Sequence, residues 1–453
     1  MAPFIFDDGA SEALDTTYNK PQVDTTARRL TNRVLEAEGI RSAPARTAGP
    51  SPDDTDPQLD TVDDLAFGFE LKCLLPLLVK GNTDPEPDDK RRAIITQSQD
   101  DEEQRREQAY ECLVDTIRDA GQNATTITAL NKLGHEERQC WESSWIVKKA
   151  NSAVPLEDEK ALEGYVWVSI EVNSPKLRAR DPETCRRVSA VLTALNSAHR
   201  LRANYSCEVH VHLGRMDGHP FSLSTLKRLA TLLWLAEPIL RSIRDPKSPN
   251  YNSVYTWGSE LLAYSRLAKK LRTPVPAADA ENDAPIQDEQ LEKLLQDRKT
   301  AASVEDSRAL HEIWRTSSHL DLGRLLSGDE RRYRRLGFNF SAFGLEDERA
   351  KNNPRTLEFR IMEGMVQTDP ILGWLFICSA IAEAAVLKSD DRLARAVERM
   401  LRERSSRIDR VQLAKSGEAP GVRLGRAFRD LMEDLEVPRA YYHGLGEKIV
   451  SEN

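Results

Sequence analysis

The sequence predicts an α+β protein. Hydrophobic periodicity switches along the chain between two and about 3.6 residues, the periods of strand and helix. Four strand-like stretches also repeat one device, with apolar side chains on one face and ionisable ones on the other.

The first stretch is "LAFGFELKCLL" (65–75): Phe67, Phe69, Leu71 and Cys73 share one face, Glu70 and Lys72 the other. In "YVWVSIEVNSPKL" (165–177), Val166, Val168, Ile170 and Val172 oppose Ser169, Glu171 and Asn173. In "NYSCEVHVHLGRMDG" (204–218), Val209, Val211 and Leu213 oppose Glu208, His210 and His212. In "RTLEFRIMEG" (355–364), Leu357, Phe359 and Ile361 oppose Glu358 and Arg360. Helical periodicity predicts helices over 104–120, 181–202, 222–244, 287–299, 370–404 and 422–435, the second opened by Asp181 as cap and Pro182 in the first turn.

At 453 residues the chain can bury one large or two ordinary cores. Residues 1–64 read as a disordered lead-in, because 41–64 are rich in Pro, Asp and small residues that cannot bury a core. Residues 65–453 read as one folded domain with polar insertions near 81–106 and 272–308. A net charge of −9 argues against a nucleic-acid or anionic-membrane surface. The apolar run from Pro370 contains Glu383 and reads as a buried helix rather than a membrane span. Six scattered cysteines without a CxxC pair read as reduced thiols, and "MAPFIFDDGA" lacks the basic region of a secretion signal, so the cytoplasm is the expected compartment.

If the four strands pair in one sheet with their apolar faces on helices, the other face collects Glu70, Glu171, Glu208, Glu358, His210, His212 and Arg360. Two carboxylates about 5 Å apart repel by roughly 3 kcal/mol at an effective dielectric of about 20, so such a face needs cations. Carboxylate oxygens with one or two imidazoles suit Mg²⁺ or Mn²⁺ better than Zn²⁺. Arg360, two residues from Glu358, is placed to hold a phosphate oxygen, which points to a nucleotide. No GxxxxGK[ST], GxGxxG, kinase HRD or DFG set, HExxH or GxSxG occurs, which argues against the corresponding enzyme classes. His219 and His199 read as loop and structural residues; "ERRYRR" (330–335) reads as a solvated basic helix end or a guide for phosphates.

"FGFELK", "IEVNSPKL", "CEVHVHLGR", "LGFNFSAFG" and "TLEFRIMEG", in this order, resemble the motifs of the amidoligase family, which belongs to the glutamine synthetase and glutamate–cysteine ligase superfamily of carboxylate–amine ligases. The length and polar insertions are similar to its fungal members. The resemblance spans about 65–390. It implies a curved antiparallel sheet forming a funnel backed by helices, with ATP and Mg²⁺ (or Mn²⁺) on its inner face. It further implies amide formation through an acyl phosphate between a small-molecule or peptide carboxylate and an amine. By the same resemblance Glu70, Glu171, His210 and Glu358 fall on metal positions and Arg360 on the phosphate position. His212 falls on a phosphate-contact or second-shell position and Asn339 on a nucleotide or substrate contact, while Ser174 and Pro175 shape the turn after the Glu171 strand. Glu208 is added from strand parity alone.

Three positions depart from the family pattern. Lys72 stands where a second Glu is expected, where it can substitute for a metal ion beside phosphate; Ala150 stands for an Asp in "WIVKKANSAV", and Met362 for a His. These departures also suit a relative without turnover, kept as a nucleotide-binding or interaction module. A metal-dependent hydrolase using Glu208, His210 and His212 is the third reading. The sequence leaves the oligomeric state open.

Overall fold

The four alternating stretches become four adjacent strands. In the computed structural model, which describes residues 60–249, 251, 260–273, 288–289, 291–293, 303–328, 335–344, 355–387, 391–408 and 419–452, they are β1 (Leu65–Val79), β5 (Tyr165–Asn173), β7 (Glu208–Arg215) and β9 (Leu357–Glu363). The shorter strands are β2 (Ile94–Thr96), β3 (Ala124–Thr126), β4 (Trp145–Lys148), β6 (Leu177–Arg178) and β8 (Phe338–Asn339). The sheet runs β3-β4-β5-β1-β7-β9-β8, with β2 and β6 also on β1. It is antiparallel except at the β1–β2 and β3–β4 pairs.

β1 is the keystone because it is long enough to serve several partners: residues 70–78 pair with β5 along one edge, and 65–71 with β7 along the other. Pro76 is tolerated because the N–H groups of its parity point to the second edge. There Leu74 pairs with Arg202 and β2 begins only at Leu77, so no ladder bond is lost.

The apolar faces meet one hydrophobic core that takes Phe67, Phe69, Leu71 and Cys73 of β1, Val168, Ile170 and Val172 of β5, and Val209, Val211 and Leu213 of β7. Helices build on this face: α1 (Glu102–Asp119), α2 (Pro182–Ala198), α3 (Leu223–Leu240), α4 (Val304–Arg315), α5 (Thr368–Val386), α6 (Arg392–Ile408), α7 (Pro420–Asp434) and α8 (Arg439–Glu452), with α1 and α5 against the strands and the others against helices. α3 is buried almost all round, with Lys227, Arg228 and Glu237 among its buried side chains. α5 is long and apolar enough to cross a membrane by length and composition, but 67% of its most apolar window is buried, and it packs on β1 and β7. Buried Arg228 of α3 donates to the carbonyls of Ala385 (2.8 Å) and Leu387 (3.2 Å), setting a cation on the C-terminus of α5. The Asp181 cap and Pro182 open α2 as expected.

Several boundaries differ from the sequence reading. The segment expected as one helix over 370–404 is two, because Leu387 leaves helical geometry and Asp391 restarts the chain by accepting from the Arg395 backbone N–H at 2.8 Å. α2 ends at Ala198 rather than Arg202, and α8 carried no predicted helix. Asp60, placed in the lead-in, is tied to the fold by Arg215 (2.7 Å) and the Ser222 N–H (2.9 Å). The polar tract after Gly81 is stitched down by buried Arg200, which holds Asp84 at 2.8 Å and the Asp89 carbonyl at 2.9 Å. Residues 1–59, most of 272–302 including most of the helix expected over 287–299, and 330–334 of the basic stretch lie outside the described residues.

Candidate functional site

Cross-strand partners share a face, so register assembles the site before any side chain is considered. Glu70 stands opposite His210, and Lys72 opposite Glu171. His212 stands opposite Glu358, which also faces Asn339 of β8. On the far side β4 places Lys148 opposite Glu171.

The side chains close into two groups. In the first, His212 Nε2 lies 3.2 Å from Glu70 Oε1 and 3.8 Å from Glu358 Oε1. Thr356 Oγ1 lies 3.0 Å from the other ring nitrogen, Nδ1. With no cation bound, Nε2–H donates to Glu70; once a cation replaces that proton, Thr356 Oγ1 accepts from Nδ1–H and leaves the Nε2 lone pair for the metal, the tautomer a metal ligand needs. Gly214 allows the Thr356 segment this close, since a Cβ at 214 would lie 2.9 Å from Thr356 Cγ2. Glu358 is held by Asn339 Nδ2 at 2.7 Å and by Arg360 Nη1. In the second group, Lys148 Nζ lies 2.8 Å from Glu137 Oε1 and 3.2 Å from Glu171 Oε1. Asn173 Nδ2 donates to the same Glu137 oxygen at 3.1 Å.

Both groups open into one cavity of about 820 Å³ lined by Glu70, Lys72, Glu171, His212, Asn339, Glu358 and Arg360. Those are seven of the nine residues the sequence put forward as catalytic, metal or nucleotide candidates. His210 and Glu208 are the exceptions. His210 is fully buried, with Nε2 2.9 Å from Glu208 Oε2 and Nδ1 3.0 Å from Glu70 Oε2, 3.2 Å from Lys72 Nζ and 3.3 Å from Glu358 Oε1. Parity assigned the face correctly but carries no information about depth. The set Glu208, His210 and His212 is therefore not presented together to the cavity, and both His210 nitrogens already face carboxylates.

Met362, the departure from an expected His, is not on the site face at all. A register shift between β7 and β9 sets two residues, Arg360 and Ile361, against His210, and returns Met362 to the core opposite Val209. Ala150 is buried in a small apolar cluster with Leu74, Ala153 and Cys207. Ser174 fixes the exit of β5 as expected, its Oγ accepting from the Phe69 N–H at 2.9 Å. Arg335, the described end of the basic stretch, lines the cavity.

Sequence reasoning missed Lys148 and Thr356. The signal for Lys148 was present: in "WIVK", Trp145 and Val147 join the core, so Ile146 and Lys148 take the other face, by the parity used for the four longer strands.

The fixed charges compensate one another. Burial would raise the Glu70 carboxyl, but hydrogen bonds to His210 and His212 hold it well below the usual range. For Glu358, burial is likewise outweighed by the Arg360 guanidinium and His210. Burial and the charge of Glu70 push Glu171 up, against the pull of Lys148 and Lys72. Burial would favour a neutral His210, and Lys72 and Arg360 act in the same direction; hydrogen bonds to Glu208 and Glu358 overcome them and raise it to about 9. Burial alone would lower Lys148, but Glu171 and Glu137 raise it.

Glu70, His212 and Glu358 each offer a ligand atom, and these atoms lie within 4.8 Å of one another. Two carboxylates with one imidazole fit a divalent cation of the Mg²⁺ or Mn²⁺ kind. The cavity lining also carries seven Lys or Arg side chains against five Glu, a basic excess in a chain of net charge −9.

The six cysteines are unpaired thiols, four of them buried. The family described as "Putative amidoligase enzyme" matches residues 93–382. No curated protein and no solved structure matches. Glu70 and Lys72 of β1 precede the matched range and join the site through the β1 register with β5 and β7. Because the match takes in well over half of the sequence and contains Glu171, His212, Asn339, Glu358 and Arg360, the chain belongs to the amidoligase family.

Proposed function

We propose that this amidoligase-family protein is an ATP- and Mg²⁺- or Mn²⁺-dependent ligase that joins a small-molecule or peptide carboxylate to an amine through an acyl phosphate. The observation that carries the reading is the juxtaposition, in one cavity, of the Glu70, His212 and Glu358 triad with Arg360 and a basic lining. The glutamine synthetase-like funnel, the kinship with that superfamily and with fungal members, and a cytoplasmic setting belong to the same proposal; four adjacent strands delivering their ionisable faces to one concavity support it.

Carboxylate oxygen is a poor leaving group, and phosphorylation makes it a good one. A substrate carboxylate oxygen attacks the γ-phosphorus of ATP, ADP departs, and the amine nitrogen then attacks the acyl carbon, expels phosphate and gives up its proton to it. A divalent ion on Glu70, His212 and Glu358 would supply charge neutralisation for the phosphates. Arg360 meets phosphoryl oxygen through its guanidinium N–H groups, and Asn339 keeps Glu358 turned into the centre. The basic rim of the cavity holds anionic parts of the substrates out of bulk water.

A rival reading, a family member without turnover, is favoured by one observation: Lys72 lies among the acidic groups, 3.9 Å from Glu70 Oε2. Calorimetric titration of Mg·ATP separates the two in stages. Micromolar binding to the wild type, weakened about tenfold or more (about 1.4 kcal/mol) in Arg360→Ala and Glu70→Gln, supports the nucleotide site. ADP release across carboxylate and amine pairs then supports the ligase over the binding module. Folded wild-type protein that binds no nucleotide with either Mg²⁺ or Mn²⁺ overturns the ligase and leaves the rival as an interaction module.

A further inference from the structure

We propose that the centre takes one divalent ion per chain, on Glu70, His212 and Glu358, and that Lys72 and Lys148 are the resident cations of Glu171. This rests on the metal site in the proposed function and deepens it by fixing the metal count.

Glu171 is a buried carboxylate of the same cavity, and its residue type alone makes it a candidate ligand. Its surroundings argue otherwise. Lys148 Nζ stands 3.2 Å from Glu171 Oε1 and is anchored from behind by Glu137 at 2.8 Å. Lys72 is the cross-strand partner of Glu171 in the β1–β5 pair, its charge acts on Glu171, and its ammonium stands 3.2 Å from His210 Nδ1 and 3.9 Å from Glu70 Oε2, where an ion bridging Glu171 and Glu70 would meet it. A lysine ammonium has three donors and no lone pair. A second ion placed on Glu171 and reaching toward Glu70 would gain no ligand from either lysine and would meet both positive charges. In the triad, by contrast, His212 turns Nε2 toward both carboxylates and Thr356 holds its other nitrogen. The β-strands thus sort the carboxylates by their cross-strand neighbours: Glu358 faces an imidazole, and Glu171 faces two ammonium groups.

The test is Mn²⁺ titration of the full chain, reading free Mn²⁺ by electron paramagnetic resonance and bound stoichiometry by calorimetry, with no substrate required. The expected result is one tight Mn²⁺ per wild-type chain, one per Glu171→Gln chain, and loss of tight binding in Glu358→Gln. Lys72→Glu, which swaps an ammonium for a carboxylate beside Glu171, is expected to raise the count to two; Lys72→Met, which removes the charge without adding a ligand, is expected to leave it at one. Two tight ions in the wild type, one of them lost in Glu171→Gln, overturns the inference and leaves the metal reading standing. No tight ion in folded wild-type protein overturns the metal reading and this inference with it. Should Lys72→Glu fail to fold, the wild-type and Glu171→Gln counts decide alone.

Discussion

A single hydroxyl decides what His212 can do. Thr356 Oγ1 lies 3.0 Å from Nδ1, so it can hold the ring's remaining proton when a metal displaces the one Nε2 shares with Glu70; without it Nδ1–H has no partner and the ring loses the orientation a metal ligand needs. Thr356→Val, nearly the same shape, is expected to weaken Mn²⁺ binding about 10- to 100-fold while the midpoint of urea unfolding stays close to wild type. An unchanged Mn²⁺ affinity would show that Thr356 does not orient the ring. Strand alternation made Glu70, Glu171, His212, Glu358 and Arg360 legible, because a period of two is enough to say which side chains share a face. It could not say that His210 lies beneath that face with both nitrogens on carboxylates, since depth depends on the neighbouring strand. Thr356 escaped notice for a similar reason: it precedes β9 and touches His212 only through the β7–β9 pairing.

At the scale of the element, the informative feature is the irregularity between β7 and β9. Simple alternation would put Met362 beside Glu358 and Arg360, where the family pattern has a His. The two-against-one register at His210 instead rotates Met362 into the core, 1% exposed and opposite Val209. Met362→His is therefore expected to supply no ligand. It should place an imidazole among apolar neighbours and cost about 1–3 kcal/mol, read as a lower urea midpoint with Mn²⁺ stoichiometry unchanged. An added metal equivalent in Met362→His would show that the strand can slip back to regular alternation. The long amphipathic strands were readable because each repeats its pattern over several residues. The two-residue strands β6 and β8 and the break after Val386 were not, because two residues carry no period and a break inside an apolar run is decided by packing.

At the scale of the molecule, the sheet and its helices are joined at points that carry no catalytic pattern, and His199 is one of them. It ends α2, and its ring reaches Thr116 of α1, with Nε2 2.7 Å from Oγ1. That hydroxyl lies 3.0 Å from the Cys112 carbonyl. With one proton to donate there, it must accept from Nε2–H, so a second proton would have to go on Nδ1, which is buried with no hydrogen-bond partner. Burial, aided by the charge of Arg92, lowers His199 from its ordinary 6.5 to about 4. A base lowered on folding binds fewer protons in the native state, so its contribution is fully retained above pH 6.5 and is lost as pH falls from 6.5 toward 4. The loss comes to about 2 kcal/mol at pH 5 on this linkage. Gln at 199 can keep a hydrogen bond to Thr116 and cannot take up the proton. Between pH 7 and pH 5 the wild type is expected to lose about 2 kcal/mol more unfolding free energy than His199→Gln, although at pH 7 the variant is the less stable of the two. Equal losses would mean that His199 is protonated in the native fold, and that the α1–α2 junction is not what makes this protein sensitive to mild acid.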